Sequence, residues 1–274
     1  MKPISKTAFY CTGVRALDAR QASPIVDDRF AERFLDDEGW RIFAPFRRFT
    51  APNASNAIRH RILDELLRAR LATDPSRRVL ILGAGFDSRA FRLSGGRWIE
   101  VDEPQILAFK EPRLPAADCP NPLRRVAVDF ESESLADKLA EMAGLEPTSV
   151  VIEGVLMYLD ETAIRSLLAT LAALFPRLEI LCDVMTNEFF ARFARPIHRK
   201  IRGLGASFRL PERPLAEVFA EEGFLERERH STLTRAIELG VMPWFGRLLH
   251  RLSRTFRDGY SIRVFERGPE TGAG

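Results

Sequence analysis

Short apolar runs alternate with amphipathic segments through the middle of the chain. Five runs of four or five residues are the strand candidates, and they span 78–82, 97–101, 124–128, 149–152 and 179–182. Runs of this length and composition are typical of buried strands. Because helical patterns separate them, the sequence predicts an α/β fold, with a mostly parallel central sheet and helices on both faces.

The helical patterns are clearest on either side of these runs. In 161–174 the leucines at 167, 168, 171 and 174 recur at helical spacing, and Asp160 before them favours an N-cap. A second strong amphipathic stripe covers 57–71, and weaker patterns begin at Arg89, Leu135 and Leu215. The apolar and basic segment 244–256 predicts one further helix, packed on the fold and not on a membrane.

The two ends of the chain predict a cover and a closing hairpin. Residues 1–72 are predicted as a helical cover over the ligand-binding edge, and 73–266 as a Rossmann-like core. Within the core, 224–231 and 260–265 read as strands, the second of them antiparallel, and 267–274 as a disordered tail. With no repeat or low-complexity tract, we expect one domain over 1–274.

Composition narrows the class of protein. The chain has 46% hydrophobic and 29% charged residues and a net charge of only +3, without the clustered basic face of a nucleic-acid-binding protein. Cys11, Cys119 and Cys182 are widely spaced and form no CxxC pair, which argues against disulfides and zinc. The most apolar run, 149–159, is short for a membrane span and contains Glu153. We therefore expect a soluble, cytoplasmic protein without nucleic-acid or membrane partners.

A glycine loop follows the first predicted strand. In Gly83-Ala84-Gly85 the glycines allow a sharp turn and a close approach of the backbone to a ligand. The dinucleotide motif would place a third glycine where Ser88 stands, and Asp87 beside it would repel a pyrophosphate. The loop therefore favours a nucleoside ligand without a pyrophosphate, and an NAD-dependent oxidoreductase stays open as an alternative.

Acidic residues follow the other predicted strands, at the edge where open α/β sheets bind ligands. If the ligand is S-adenosylmethionine, Asp102 stands about 20 residues past the glycine loop, where an acid accepts ribose hydroxyls. Asp129 with Phe130 could accept the adenine amino group and pack its ring. Glu153 falls where the amino acid end of that cofactor lies, and its carboxylate would suit an ammonium group.

The segment 82–93, LGAGFDSRAFRL, resembles the motif of the leucine carboxyl methyltransferase family, which includes bacterial polyketide O-methyltransferases of the tetracenomycin type. Further similar segments are 100–102, 128–130 and 153–159, and Arg59-His60-Arg61 followed by Asp64 is similar to an N-terminal helix of that family. The resemblance is dense from about 57 to 160. It implies a class I S-adenosylmethionine-dependent methyltransferase fold.

The resemblance also implies roles for individual residues. Arg59 matches the family arginine that pairs with the cofactor's carboxylate, a bidentate contact that lysine cannot copy. Lys6 and Thr7 are further candidates from the N-terminal cover. The predicted cofactor-binding set is Arg59, Gly83, Ala84, Gly85, Asp87, Asp102, Asp129, Phe130, Glu153 and Gly154.

The predicted function is an O-methyltransferase for a small molecule, such as a secondary metabolite, working as a monomer or homodimer. A carboxylate acceptor is ionised at neutral pH and needs no general base. A hydroxyl acceptor needs one, for which His198, His230 and Asp183 are candidates, while Tyr158 and 183–202 are expected to line the acceptor pocket. The sequence singles out no catalytic residue and no metal site. A non-catalytic regulatory protein that binds S-adenosylmethionine remains an alternative.

Overall fold

A computed structural model describes residues 2–242 and 244–267 of the chain. Within these ranges seven strands form one sheet, and they are β1 (Arg78–Leu82), β2 (Arg97–Asp102), β3 (Leu123–Ala127), β4 (Thr148–Ile152), β5 (Leu178–Met185), β6 (Phe224–Ser231) and β7 (Tyr260–Arg267). Their spatial order is β3-β2-β1-β4-β5-β7-β6. All seven strands predicted from the sequence are therefore confirmed.

Strands β1 to β5 are parallel, whereas β7 runs antiparallel to both β5 and β6. Leu82 lies opposite Val101 on one side and Ile152 on the other, so the loops after β1, β2 and β4 leave the sheet at one edge. The strand order reverses between β1 and β4. In open α/β sheets this switch point is where ligands bind.

Helices cover both faces of the sheet and form the predicted cover. Their bounds are α1 Thr7–Ala19, α2 Asp37–Phe43, α3 Thr50–Thr73, α4 Arg89–Arg92, α5 Pro104–Lys110, α6 Leu135–Leu139, α7 Glu161–Leu174, α8 Asn187–Phe189, α9 Arg195–Gly203, α10 Leu215–Glu221, α11 Thr232–Glu238, α12 Trp244–Leu252 and α13 Arg254–Asp258. A π-helical turn, Phe190–Ala194, joins α8 to α9. No helix of the described part of the chain is long and apolar enough to cross a membrane.

The apolar residues of β1 divide between the two faces. Leu80 and Leu82 pack in a core cluster with side chains of α6, α7 and α10. Val79 and Ile81 pack in a second cluster with side chains of α3 and α11. Because both faces are covered, residues 79–82 of the strand are all apolar and show no alternation.

Several predicted bounds differ from the structure, most of them by one or two residues, and the larger differences are these. Helix α3 begins at Thr50 and not at 57, and β5 continues to Met185, so Asp183 lies inside the strand. The predicted helix 244–256 is two helices, because the Ser253 side chain accepts a hydrogen bond from the amide of Phe256 and caps α13. Arg267, predicted in the tail, is the last residue of β7, and 268–274 lie outside the described residues.

Candidate active site

A cavity of about 1590 Å³ lies beside the carboxyl ends of the central strands, under the N-terminal cover. Its inner end, nearest the sheet, is lined by the glycine loop, Asp102 and Glu153. Its outer end is lined by the segment from α8 to α9 and by the segment from α11 to α13, while α1 lies over the glycine loop. Surveyed ligand pockets hold about 300–1,000 Å³. The cavity is therefore large enough for two ligands.

Glycines bring the loops after β1 and β4 together at the switch point. Gly83 has a φ of +66°, and a Cβ there would lie 2.5 Å from Cγ2 of Val155. Gly154 has a φ of +69°, and a Cβ there would lie 3.3 Å from Nη1 and Nη2 of Arg59. Since other residues rarely adopt this conformation, both turns depend on glycine. The glycine at 154 also leaves open the space in front of the Arg59 guanidinium.

Asp102, the last residue of β2, holds the glycine loop. Its carboxylate accepts hydrogen bonds from the amide of Gly85 at 2.6 Å and from the amide of Glu103 at 2.7 Å. Burial raises the pKa of Asp102 to about 6, although these two amides and Lys110 favour the charged form. Each oxygen keeps a second lone pair, and Asp102 lines the cavity.

The two predicted adenine residues are placed differently. Phe130 lines the cavity and is 46% exposed, so its ring is accessible to a ligand. Asp129 is not among the lining residues, and its carboxylate accepts a hydrogen bond from Nζ of Lys2 at 2.7 Å. The same Nζ lies 3.1 Å from Glu103. Lys2 therefore ties the start of the chain to the loops after β2 and β3, a contact that the sequence did not reveal.

Arg59 lies between two carboxylates from neighbouring strands. Its Nε donates to Glu153 at 2.9 Å, and its Nη1 donates to Asp183 at 3.2 Å and to the hydroxyl of Tyr260 at 3.0 Å. The hydroxyl of Tyr260 in turn donates to Asp183 at 2.8 Å, and the amide of Gly154 donates to the same carboxylate at 2.7 Å. The sequence analysis did not include Tyr260 among the site residues, because Tyr260 lies on β7, far along the chain from the other site residues.

The third guanidinium nitrogen of Arg59, Nη2, has no carboxylate partner among the described residues. Its hydrogen-bond partner there is Sγ of Cys11, at 3.7 Å. Asn56 donates to the same sulfur at 3.3 Å. Nη2 therefore remains an accessible donor for an anionic group in the cavity, which Arg59 lines.

Arg89 is fully buried and gathers the acidic side chains behind the glycine loop. Its Nε donates to Asp64 at 2.7 Å, its Nη1 donates to Asp87, and its Nη2 donates to Glu153 at 2.7 Å. Burial alone would raise the pKa of Glu153, but Arg89, His60 and Arg59 outweigh it and hold that pKa well below its usual range. The Glu153 carboxylate is therefore ionised.

His60 completes this network as a neutral ring. Its Nδ1 lies 3.0 Å from Oε2 of Glu153, and its Nε2 lies 2.8 Å from Nη2 of Arg92. Nδ1 also lies 2.7 Å from Nη2 of Arg89, so a guanidinium group lies beside each ring nitrogen. Burial and the charge of Arg89 lower the pKa of His60, which agrees with a neutral imidazole.

Three potential metal ligands lie in this network. Ligand atoms of His60, Asp87 and Glu153 lie within 4.8 Å of one another, a grouping that could hold a metal ion. However, Arg89 donates to both carboxylates, and its Nη2 lies 2.7 Å from Nδ1 of the histidine. The guanidinium already supplies the positive charge that a metal ion would supply, so the donor set does not fit a metal.

The outer end of the cavity is apolar and aromatic. Rings of Phe189 and Phe193 lie 5.3 Å apart between centroids, and Phe193 lies 5.0 Å from Phe256. Tyr158, a predicted pocket residue, also lines the cavity and packs on Phe208 at 5.3 Å. No histidine of the described residues lines the cavity. The segment 183–202 therefore contributes to the pocket as predicted, through its apolar side chains.

None of the predicted general-base candidates lines the cavity. His198 stacks behind Phe208, with ring centroids 4.8 Å apart, and accepts a hydrogen bond from its amide at 3.1 Å. His230 lies on the edge strand β6 beside Glu228. Asp183 is buried among its donors and is not among the residues that line the main cavity. Of the two cover candidates, Thr7 lines the cavity and Lys6 does not.

Two proteins of similar sequence match part of this chain. A protein of Parafrankia sp. strain EAN1pec is 34% identical over 189 residues, covering 62% of this chain and 59% of its own. One from Mycobacterium tuberculosis strain H37Rv is 33% identical over 194 residues, covering 64% of this chain and 63% of its own. Both carry the name of an S-adenosyl-L-methionine-dependent methyltransferase. The matched part spans about three fifths of each relative's length.

Solved structures share the fold at low sequence identity. A DUF574-family protein from Streptomyces avermitilis covers 96% of this chain and 97% of its own, with a TM-score of 0.56 and 16% identity. The magnesium protoporphyrin IX methyltransferase of Synechocystis, solved with bound S-adenosylhomocysteine, covers 79% of this chain and 87% of its own, with a TM-score of 0.50 and 16% identity. The predicted class I methyltransferase fold is confirmed.

Residues 8–172, more than half of the chain, match the family model described as leucine carboxyl methyltransferase. The match includes the glycine loop, Asp102 and Glu153, and it begins inside the N-terminal cover. The resemblance noticed in the sequence is thereby confirmed. The chain belongs to the leucine carboxyl methyltransferase family.

Proposed function

We propose that the chain binds S-adenosylmethionine and transfers its methyl group to a carboxylate or hydroxyl oxygen of a small molecule. The observation that carries this proposal is the pair of glycine turns at the switch point, flanked by Asp102 and Glu153. Family membership and the names of the relatives support it. A nicotinamide enzyme would reuse the same kind of crevice, but none of these comparisons favours it.

The residues present fit the proposed cofactor. The free lone pairs of Asp102 would accept the ribose hydroxyls, and Phe130 would stack on adenine, with Asp129 beside it. The amino acid end of the cofactor is a zwitterion. It would meet a matching pair, because Nη2 of Arg59 faces the cavity as a donor and Glu153 presents an ionised carboxylate. Gly83, Ala84, Gly85 and Gly154 would let the backbone approach it, with Asp87 held behind the loop by Arg89.

When bound, S-adenosylmethionine supplies a methyl group already activated on a sulfonium. The chain's own contribution is then to align the acceptor oxygen and to exclude water. The phenylalanines of the outer end would hold the acceptor's apolar body and keep water out. Arg59 is held by two carboxylates, and it would orient the amino acid end of the cofactor.

We favour a carboxylate acceptor over a hydroxyl. A carboxylate arrives ionised, so its oxygen attacks without losing a proton. A hydroxyl would need a base, and no histidine of the described residues lines the cavity. Asp183 already accepts hydrogen bonds from Gly154, Arg59 and Tyr260. None of the three predicted bases, His198, His230 and Asp183, lines the cavity, and this observation supports carboxyl methylation.

Calorimetry with S-adenosylhomocysteine tests the cofactor site. We expect Asp102→Ala to weaken binding about 10- to 100-fold, because hydrogen bonds to a charged acceptor contribute about 1.5–3 kcal/mol each. Asp118→Ala, at an exposed aspartate away from the cavity, is the matched control and should bind as the wild type does. Equal affinity of Asp102→Ala and wild type would overturn the assignment, as would tighter binding of NADH.

Acceptor chemistry is tested by methyl transfer to pairs of molecules that share an apolar body. Each carboxylic acid is compared with the matching alcohol, and release of S-adenosylhomocysteine is measured. We expect turnover with acids and little with alcohols. Turnover restricted to alcohols would contradict carboxyl methylation. Tight cofactor binding with no turnover on any pair would favour the regulatory alternative.

A further inference from the structure

Helix α12 and the turn before it expose an apolar stripe. Four of the seven large apolar side chains that are exposed among the described residues fall within 241–252. Trp244 is 76% exposed, Leu248 50% and Leu252 77%, and Val241 lies just before the helix. Trp244, Leu248 and Leu252 are spaced by four residues, so they share one face of the helix.

Arginines flank this stripe. Arg247 and Arg251 are exposed on the same helix, and Arg195 and Arg199 are exposed on α9. None of the four has a salt-bridge partner among the described residues. Segments 187–203 and 244–258 together carry nine basic and two acidic residues, a net charge of +7 in a chain whose total is +3. The rest of the chain is therefore net negative, and the positive charge is concentrated here.

The two basic segments meet over the outer end of the cavity. Phe193, in the turn before α9, packs on Phe256 of α13 with ring centroids 5.0 Å apart. On their inner side, Ile197, Met242 and Gly246 line the cavity together with these two rings. One thin wall therefore separates the apolar cavity from an exposed surface that is itself apolar and basic.

We propose that this wall, segments 187–203 and 241–258, docks on an anionic lipid surface and admits an amphiphilic carboxylate from that surface into the cavity. A short helix with an aromatic and aliphatic face and flanking arginines is suited to lie in a membrane interface. Tryptophan prefers that interface, and arginines are attracted to anionic headgroups. Such docking needs no spanning helix, and it replaces the expectation from the sequence that segment 244–256 packs on the fold and not on a membrane.

Charge favours lipid over a second copy of the chain as the occupant. A two-fold contact through this wall would place its net charge of +7 against an identical surface. Like charges facing each other across an interface oppose association. An anionic membrane has the complementary charge and an apolar interior for the stripe.

The docking half of this inference stands without catalysis, whereas the delivery of an acceptor rests on the proposed function. Delivery would suit an acceptor with a hydrocarbon body, since the outer end of the cavity is aromatic and aliphatic. The methyl group would pass from the sulfonium to a carboxylate oxygen. The products would be a neutral ester and the thioether S-adenosylhomocysteine.

Flotation of the full chain with vesicles tests docking. We expect co-flotation with vesicles of phosphatidylcholine and phosphatidylglycerol, and none with phosphatidylcholine alone. High salt should reduce it, because exposed charges are screened. The variants Leu248→Ser/Leu252→Ser and Arg247→Glu/Arg251→Glu should each lower the vesicle-bound fraction at least tenfold. The matched control, Leu145→Ser with Arg124→Glu, alters an exposed leucine and arginine elsewhere and should float as wild type.

Tryptophan fluorescence identifies the surface that inserts. The chain has three tryptophans, and Trp98 is buried in the core while Trp40 lies in the cover. A blue shift on adding anionic vesicles should disappear in Trp244→Phe. Calorimetry with S-adenosylhomocysteine confirms that each variant is folded.

Several outcomes would overturn docking. These are equal flotation with neutral vesicles, no flotation of the wild type, and unchanged flotation of both the leucine and the arginine double variants. A wild-type dimer in light scattering that Leu248→Ser/Leu252→Ser converts to a monomer, without vesicle binding, would identify a second copy as the occupant. Intact flotation of a chain that fails to bind S-adenosylhomocysteine would support docking and contradict the proposed function alone.

Discussion

The two ends of the cavity use arginine in opposite ways. At the inner end, the buried Arg59 and Arg89 and the nearly buried Arg92 are each held by carboxylates at 2.5–3.2 Å. At the outer end, Arg195 and Arg251 are exposed and have no salt-bridge partner among the described residues. The side chains of the inner arginines are held in place, whereas those of the outer arginines can change conformation to meet an anionic ligand.

This difference teaches what burial does to a charged pair. Removing charges from water costs free energy that their attraction offsets only when the geometry is good and the remaining donors are satisfied. The inner network meets that condition, since all three groups of the Arg89 guanidinium have acceptors. The network holds the side chains of Glu153 and Arg59 in fixed positions. The outer arginines carry no such cost and fix no geometry.

Arg89→Ala should break the inner end. Removing one partner of a buried charge network leaves Asp64, Asp87 and Glu153 uncompensated, which costs about 3–5 kcal/mol. We expect a loss of that size in the free energy of unfolding, measured by urea titration followed by circular dichroism. The control at the outer end is Arg195→Ala, which should leave the transition midpoint unchanged. Equal effects of the two substitutions would refute the contrast between the ends.

Phe193→Ala should weaken ligand binding at the outer end of the cavity and leave binding at the inner end unchanged. Its ring packs on Phe189 and Phe256 at the outer end. We expect a roughly tenfold loss in affinity for an apolar carboxylate or for the dye ANS, since removing an aromatic surface of this kind costs about 1–2 kcal/mol. The affinity for S-adenosylhomocysteine should stay unchanged. A parallel loss of both affinities would mean that the two ends are not independent.

Affinity for S-adenosylhomocysteine should depend on pH through Asp102. The pKa of this carboxyl is raised from 3.8 to about 6, so acidification below pH 6 protonates it and removes an acceptor for the ribose. We expect affinity to fall by at most about tenfold per pH unit below 6 and to be flat between 7 and 8. Calorimetry from pH 8 to 5 measures this. A flat profile down to pH 5 would show that Asp102 is not the acceptor.

The same carboxyl should affect stability with the opposite sign. Because its pKa is raised in the folded protein, the native state holds this proton more tightly than the unfolded chain between pH 3.8 and about 6. The unfavourable contribution of Asp102 to stability is therefore complete above pH 6 and relieved as pH falls through that window. Acidification should weaken ligand affinity while it removes this local cost.

Sequence patterns placed the inner end well, because local signals suffice there. Strands buried on both faces read as apolar runs, and parallel pairing aligns their carboxyl ends, so Asp102 and Glu153 fell at one edge as predicted. Strand β5 was underestimated because its last residues are fixed by pairing with β7, as Met185 is with Tyr260. No local pattern reveals an antiparallel partner 75 positions away.

Hydrogen-bond partners and exposed surfaces were harder to predict from the sequence than the positions of site residues along the strands. Tyr260 joins Arg59 across 201 positions, and Lys2 joins Asp129 across 127. Those contacts follow from tertiary packing and leave no periodic signal. The segment 244–256 has one apolar and basic pattern from end to end, so neither the break at Ser253 nor the exposed side of the stripe was visible. The roles of the individual site residues stay predictions.

The position of strand β7 in the sheet determines when the sheet can be completed during synthesis. It pairs β5 on one side and β6 on the other, and its first residue, Tyr260, completes the hydrogen bonds around Asp183. During synthesis β6 emerges before the strand it pairs with, and the edge of β5 stays open for the same interval. An unpaired strand edge invites aggregation. The nascent chain is therefore most vulnerable before β7 leaves the ribosome, and its binding site becomes whole only once β7 has paired.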